Sequence, residues 1–369
     1  MADVPDPLPV SMVDDLRSRL RATRRVPLPT GVGWSRGVDA DYLTDLLAYW
    51  ADGYDWSAAE SRLQQLPWVY TGQPGAGLRV IHARAAADAP TVVLLHGWPD
   101  SFLRFQRVLP LLTDLNVVVP CLPGYPYADP LRTTGMSAAA IADRVASAMG
   151  DLGYARYVVS GGDIGSSVAE SLARAHPEAV AALHLTDIPY THLFSVPAGE
   201  LSQVEQDYLA AGQEWQMTEG AYALEQSTKP HTLAAGLGDS PAGLAAWIVE
   251  KLRSWSDCDG DVESVFPRDD LLTWVTLYWM TGAIGSSFSP YVERRPPDPD
   301  AGRVETPTVV SIFPHDLVPA PRQFGERVFD VRAWDEHDAG GHFAAWERPD
   351  AFTAGLRQAV ALGSGGDAG

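Results

Sequence analysis

VVSGGDIGSS (158–167) passes from β-forming valines into paired glycines, an aspartate, a third glycine and the small residues that open a helix. Glycines at 161 and 165 flank the central residue symmetrically, as a tight strand–turn–helix elbow requires. In the pattern G-x-S-x-G such an elbow presents a nucleophilic serine, but its centre here is Asp163. An Asp between a strand and a helix also has a plainer use as an N-cap. The rest of the chain decides between the two.

Working outward, short apolar runs at 78–84 (LRVIHAR), 91–95 (TVVLL), 116–120 (NVVVP), 156–160 (RYVVS), 182–186 (ALHLT) and 307–313 (PTVVSIF) read as strands. Helical patterns over 137–152 and 165–175 lie between several of them. The alternation predicts an α/β fold, a mostly parallel sheet flanked by helices. Residues 9–25 place Val10, Val13, Leu16 and Leu20 near helical spacing. Residues 39–56 place Leu43, Leu46, Leu47 and Trp50 on one stripe, with Asp39 or Asp41 as cap and Gly53 as stop. A third helix is expected from Ser57, with Glu60 completing a capping box. No strand alternation shows in this front segment, so residues 1–77 are expected to form a helical extension. Strands stop again over 191–300, where 240–257 and 271–287 read as Trp- and Tyr-rich helices. That segment is expected to be a helical cap inserted into a core made of 78–190 and 301–369. The tail ALGSGGDAG (361–369) is small, polar and expected to be disordered.

Composition narrows the function. A net charge of −20 excludes nucleic acid as a natural partner and disfavours anionic membranes. No run approaches the roughly 18 consecutive apolar residues of a membrane span. The opening MADVPDPLPV lacks a basic-then-apolar export signal. Two cysteines, Cys121 and Cys258, suit buried thiols in a reducing compartment, so the protein is expected to be cytoplasmic.

Three features favour a nucleophilic Asp163 over an N-cap. The elbow glycines are one. LLHGWP (94–99) follows a strand, where an oxyanion donor belongs, and Asp316 and His342 follow in the order nucleophile, acid, histidine. GGDIGS does not fit the dinucleotide pattern G-x-G-x-x-G, and its aspartate would repel a pyrophosphate. A carboxylate of reference pKa about 3.9 is already ionised at neutral pH and needs no base to attack. On an sp³ carbon it forms an ester that water can cleave at the carbonyl, whereas serine would leave a stable ether. Asp163 therefore points to epoxides or alkyl halides. His342 would activate the water, Asp316 would orient the imidazole, and the backbone N–H groups of Trp98 and Ile164 would form the oxyanion hole. His96 is expected to order the oxyanion loop. His337 and His342 lack a third ligand at recognised spacing, so neither a metal nor another cofactor is expected.

HGWPDSF (96–102), PGYPY (123–127), GGDIGSS (161–167), residues 226–257, YWMTGAIGSSF (278–288), FPHD (313–316) and GGHFAAWERPD (340–350) together resemble the microsomal-type epoxide hydrolases, in their soluble bacterial branch. Residues 33–56 resemble the N-terminal extension of that family. The resemblance implies the α/β-hydrolase fold with a cap, a small-molecule epoxide and water as reactants, and a homodimer as the candidate assembly. It also implies two cap tyrosines that donate to the epoxide oxygen, at the matching positions Tyr222 and Tyr291. Tyr125, Tyr190 and Tyr278 compete for that role. Relatives usually carry Trp after the nucleophile, where this chain has Ile164, so the pocket wall becomes smaller and admits a bulkier substrate. A secondary-metabolite epoxide, of the enediyne type for instance, is the expected substrate.

Three alternatives stay open. Asp187, in HLTDIPY, also follows a strand and competes with Asp316 as the acid. A haloalkane dehalogenase would share the nucleophile, but the second halide-holding Trp is missing at 164. A ligand sensor would keep the fold without needing the water-activating pair.

Overall fold

The computed structural model describes residues 3–29, 31–298 and 300–365. Its frame is a sheet of eight strands: β1 (Trp68–Thr71), β2 (Leu78–Ala83), β3 (Thr91–Leu95), β4 (Asn116–Pro120), β5 (Tyr157–Gly161), β6 (Val180–Leu185), β7 (Val304–Ile312) and β8 (Phe329–Glu336). Their spatial order is β1-β2-β4-β3-β5-β6-β7-β8. β1 pairs with β2, and β2 with β4, antiparallel; every later neighbour is parallel. All residues of β3, β4 and β5 are buried, which is why they read as unbroken apolar runs.

Helices α1 (Val10–Arg21), α2 (Ala40–Asp52) and α3 (Trp56–Gln64) precede the sheet. α4 (Ala138–Asp151) and α5 (Ile164–Ala175) alternate with its central strands. Between β6 and β7 the chain leaves the sheet for α6 (Gln203–Thr218), α7 (Ala221–Thr228), α8 (Pro230–Asp239), α9 (Pro241–Ser254), α10 (Val262–Val265), α11 (Arg268–Thr281) and α12 (Ser289–Val292). α13 (Arg322–Val328), α14 (Ala344–Glu347) and α15 (Pro349–Ser364) complete the chain, with α15 packed on β6 and β7. The fold is that of the α/β hydrolases. No helix among the described residues is long and apolar enough to cross a membrane.

The front helices bind the excursion between β6 and β7. Trp50 Nε1 donates to Thr276 Oγ1 at 3.0 Å and Tyr54 Oη meets Thr273 Oγ1 at 2.9 Å, both on α11. All of these groups are buried, so each hydrogen bond spares a polar atom that would otherwise be stranded.

Each of the six predicted strands is present, and several other expectations are corrected. The front segment is not wholly helical: its WVYT forms the edge strand β1, too short for alternation to show. β8 went unread because Asp330, Arg332, Asp335 and Glu336 interrupt its apolar pattern, as suits the opposite edge. α3 is capped by Asp55, which accepts the Ala58 N–H, and not by Ser57; Glu60 instead accepts the Leu8 N–H. The helix read through 287 stops at Gly282, which adopts φ 62°. In the tail, α15 continues to Ser364, and residues 366–369 lie outside the described residues.

Candidate active site

The strand order reverses between β3 and β5, and at such a switch point the loops leaving the carboxyl ends of the strands part to form a crevice. Asp163 sits there, between the end of β5 and the start of α5, at φ 58°. That left-handed conformation is uncommon for a residue with a side chain and marks a backbone held by its surroundings. The glycines show what holds it. A Cβ on Gly161 would run into the Gly165 carbonyl, and one on Gly165 into the Leu95 carbonyl at the end of β3.

Although Asp163 occupies the N-cap position of α5, its side chain makes no capping hydrogen bond. Instead Oδ1 accepts the Trp98 N–H at 2.8 Å, and the Ile164 N–H also acts on the carboxylate. A Cβ on Gly97 would collide with Asp163, so glycine there is what lets the loop after β3 approach. His96 Nε2 accepts the Leu122 N–H at 3.2 Å, tying the same loop to the end of β4. Burial pushes the Asp163 carboxyl above its ordinary range, against the pull of His342 and the two N–H groups.

His342 follows β8 on a loop anchored by its N–H to the Trp255 carbonyl at 2.8 Å. Its Nδ1 lies 2.7 Å from Asp316 Oδ1, and its Nε2 lies 3.7 Å from Asp163 Oδ2 with no hydrogen-bond partner. Burial alone would lower the imidazole, but the charge and hydrogen bond of Asp316, aided by Asp163, raise it to about 8. Despite burial, the same pairing with His342 holds Asp316 below the usual carboxylate range. Asp187 does not reach the histidine. Its Oδ2 accepts the Asp163 N–H at 2.9 Å, and burial, then Asp316, push it up to about 7.

Tyr222 on α7 and Tyr291 on α12 line the same cavity as Asp163, with ring centroids 6.1 Å apart. Tyr222 stacks on Trp98 at 5.3 Å, and the Tyr291 hydroxyl is buried without a partner. Burial drives both phenols upward, so they stay protonated at neutral pH. Among the competitors, Tyr278 donates to the Asp100 carbonyl and Tyr190 to the Gly212 carbonyl. Tyr125 is buried with a free hydroxyl and packs edge-on against His96.

Asp163, Ile164, Asp187, Tyr222, Tyr291 and Asp316 line one cavity of about 990 Å³. Two of its lining residues carry buried polar atoms without partners, Asp187 Oδ1 and Tyr291 Oη, and a third such atom, His342 Nε2, faces Asp163. Native interiors rarely leave such atoms unpaired, so these mark a place where a reactant or water can be bound. No group of three or more metal-ligating side chains occurs among the described residues. Sequence reasoning missed two charged residues beneath the site, Asp100 and Arg104, both buried. Their i,i+4 spacing was the available signal, although burial was not readable from it.

Known proteins resemble this chain over nearly its whole length. Residues 7–105 match the model of the epoxide hydrolase N terminus, and residues 90–245 match that of the alpha/beta hydrolase fold. A Stigmatella aurantiaca protein described as a candidate epoxide hydrolase is 38% identical, over 95% of this chain and 82% of its own length. Epoxide hydrolase 1 of Sus scrofa is 29% identical, over 95% of this chain and 86% of its own. An enantioselective mutant of the Aspergillus niger epoxide hydrolase superposes with a TM-score of 0.86 at 31% identity, covering 97% of both chains. The Bombyx mori juvenile hormone epoxide hydrolase superposes with a TM-score of 0.87 at 27% identity, covering 98% of this chain and 94% of that one. The chain belongs to the epoxide hydrolases of the α/β-hydrolase fold and carries their N-terminal extension.

Proposed function

We propose that the chain opens its epoxide through an alkyl ester on Asp163, without a cofactor. The observation that carries this reading is the divided carboxylate: Oδ1 is held by the Trp98 N–H, while Oδ2 faces the unpartnered Nε2 of His342. Oδ2 attacks a ring carbon, the C–O bond of the ring breaks, and the oxygen leaves as an alkoxide. Tyr222 and Tyr291 donate to that oxygen and supply its proton. Water then attacks the ester carbonyl as His342 takes its proton. The negative charge collects on Oδ1, where the Trp98 and Ile164 N–H groups form the oxyanion hole. Collapse expels the Oδ2-bound alcohol with the proton that His342 had taken, releasing a vicinal diol, and the proton of the regenerated Asp163 carboxyl returns to the tyrosine.

Alkylation changes the histidine. While Asp163 is ionised, its charge helps to hold the imidazole up at about 8. The ester is neutral, so that support disappears and His342 becomes easier to deprotonate just when a base is required. Asp316 keeps the imidazole oriented through both half-reactions.

The helices between β6 and β7 act as a cap over a core of 78–190 and 301–369, behind the extension 1–77. We infer a bulky substrate, a secondary-metabolite epoxide of the enediyne type for example, from the cavity volume and from Ile164 in its wall. The working form is inferred to be a cytoplasmic homodimer. A single turnover in ¹⁸O-water tests the covalent route: the first diol takes its oxygen from Asp163 and stays unlabelled. Label entering that diol directly would rule the route out.

A further inference from the structure

Three loops must be in register for the proposed chemistry: the one after β3 that carries the Trp98 N–H, the elbow after β5, and the histidine loop after β8. One guanidinium touches all three. Arg104 Nη1 donates to Asp100 Oδ2 at 2.6 Å, and Asp100 Oδ1 accepts the Gly97 N–H at 2.8 Å, one residue before Trp98. Arg104 Nη2 donates to the backbone carbonyl of His342 itself. The same nitrogen lies against the elbow, where a Cβ on Gly162 would approach it to 3.1 Å.

Asp100 and Arg104 are both essentially inaccessible to solvent. A buried ion pair is a poor source of stability, because two desolvated charges must first recover the cost of leaving water. What it does supply here is geometry, since only a planar fork can bond a carboxylate and a carbonyl from adjacent nitrogens. Its charge also lies close to both catalytic carboxylates. Among the groups facing His342, Asp316 and Asp163 favour the imidazolium, as does the Glu347 carboxylate that binds the Gly341 and Phe343 N–H groups. Asp187 adds to them, and Arg104 opposes them.

We propose that Arg104, held by Asp100, is a positioning residue for ester hydrolysis: it fixes the backbone of His342 relative to the oxyanion loop and keeps the imidazole available as a base. The proposal rests on the reading above, in which His342 activates the water that hydrolyses an Asp163 ester. Alkylation depends on Asp163 and the two tyrosines and is much less exposed to it.

Single-turnover kinetics separate the two steps, with Trp98 and Trp255 beside the site as fluorescence reporters. In Arg104→Met, ester formation should stay near wild type while ester decay slows by about 10²-fold, the scale of a misplaced catalytic group. The pH limb of decay should also move to higher pH, because a cation opposing the imidazolium is gone. Arg104→Lys retains the charge without the fork, so the limb should return while the rate recovers only in part. Both steps slowing in proportion to a loss of thermal stability, with the limb unmoved, would overturn the proposal. If Arg104→Met does not fold, the lysine variant decides: wild-type ester decay there overturns it equally. Absence of any Asp163 ester in the wild type would instead remove the reading on which it rests.

Discussion

His342 Nε2 stands 3.7 Å from Asp163 Oδ2, outside hydrogen-bond reach, while its Nδ1 is fixed 2.7 Å from Asp316. The imidazole is therefore tethered on one side and free on the other, facing the carboxylate.

Replacing the free side should stall the enzyme halfway. His342→Gln leaves attack by Asp163 intact and removes the base, so ester hydrolysis should fall by about 10²–10⁴-fold. Mass spectrometry of the peptide containing Asp163 should show an adduct of substrate mass. A clean peptide after prolonged incubation with a turned-over epoxide would contradict the assigned roles.

The imidazole gives a pH signature. Its pKa is raised on folding, from an ordinary value near 6.5 to about 8. A group raised in this way stabilises the fold fully below its unfolded value, and that stability is lost as pH rises through about 8. The shift corresponds to roughly 2 kcal/mol. Melting temperature should fall across that window in the wild type and much less in His342→Gln. Ester decay should fall on the acid side, with a midpoint below about 8 because the ester no longer supports the imidazolium.

The two candidate acids separate by substitution. Asp316→Asn removes the partner of Nδ1 and should cut ester decay strongly, as loss of the orienting acid does in related triads. Asp187→Asn keeps an acceptor for the Asp163 N–H and should retain most activity. A reversal of this order, read by steady-state turnover, would move the acid role to Asp187.

Tyr222→Phe and Tyr291→Phe should each slow ester formation by about 10-fold or more, and the double variant should lose it almost entirely, because either phenol alone can still protonate the oxygen. Unchanged burst rates in the double variant would transfer the role to another donor, with Tyr125 and its free hydroxyl the next to test.

Ile164→Trp should narrow the cavity. Turnover of bulky epoxides should drop while a small one such as an aryl oxirane is still opened, since the backbone N–H at 164 is retained. Equal loss for both would mean that the side chain matters for more than space.

The elbow and the core strands were legible because their signals are local. Glycines at 161 and 165 and the apolar runs of β3, β4 and β5 each sit within a few residues, and the difference between an ester and an ether depends only on the identity of residue 163. The edge strands were not legible: β1 is too short for a pattern, and β8 carries charges along an exposed edge. Which acid meets the histidine depended on the order in which strands lie side by side. Asp187 leaves β6 beside the elbow and is occupied by the Asp163 N–H, whereas Asp316 leaves β7 next to the histidine loop. The link from Arg104 to His342 joins residues 238 positions apart and exists only because the loops after β3 and β8 are folded over the same elbow. Sequence alone singled out Asp163 as the candidate nucleophile; only tertiary packing decided which charges surround it, because separations of a few ångströms across distant segments set their effect.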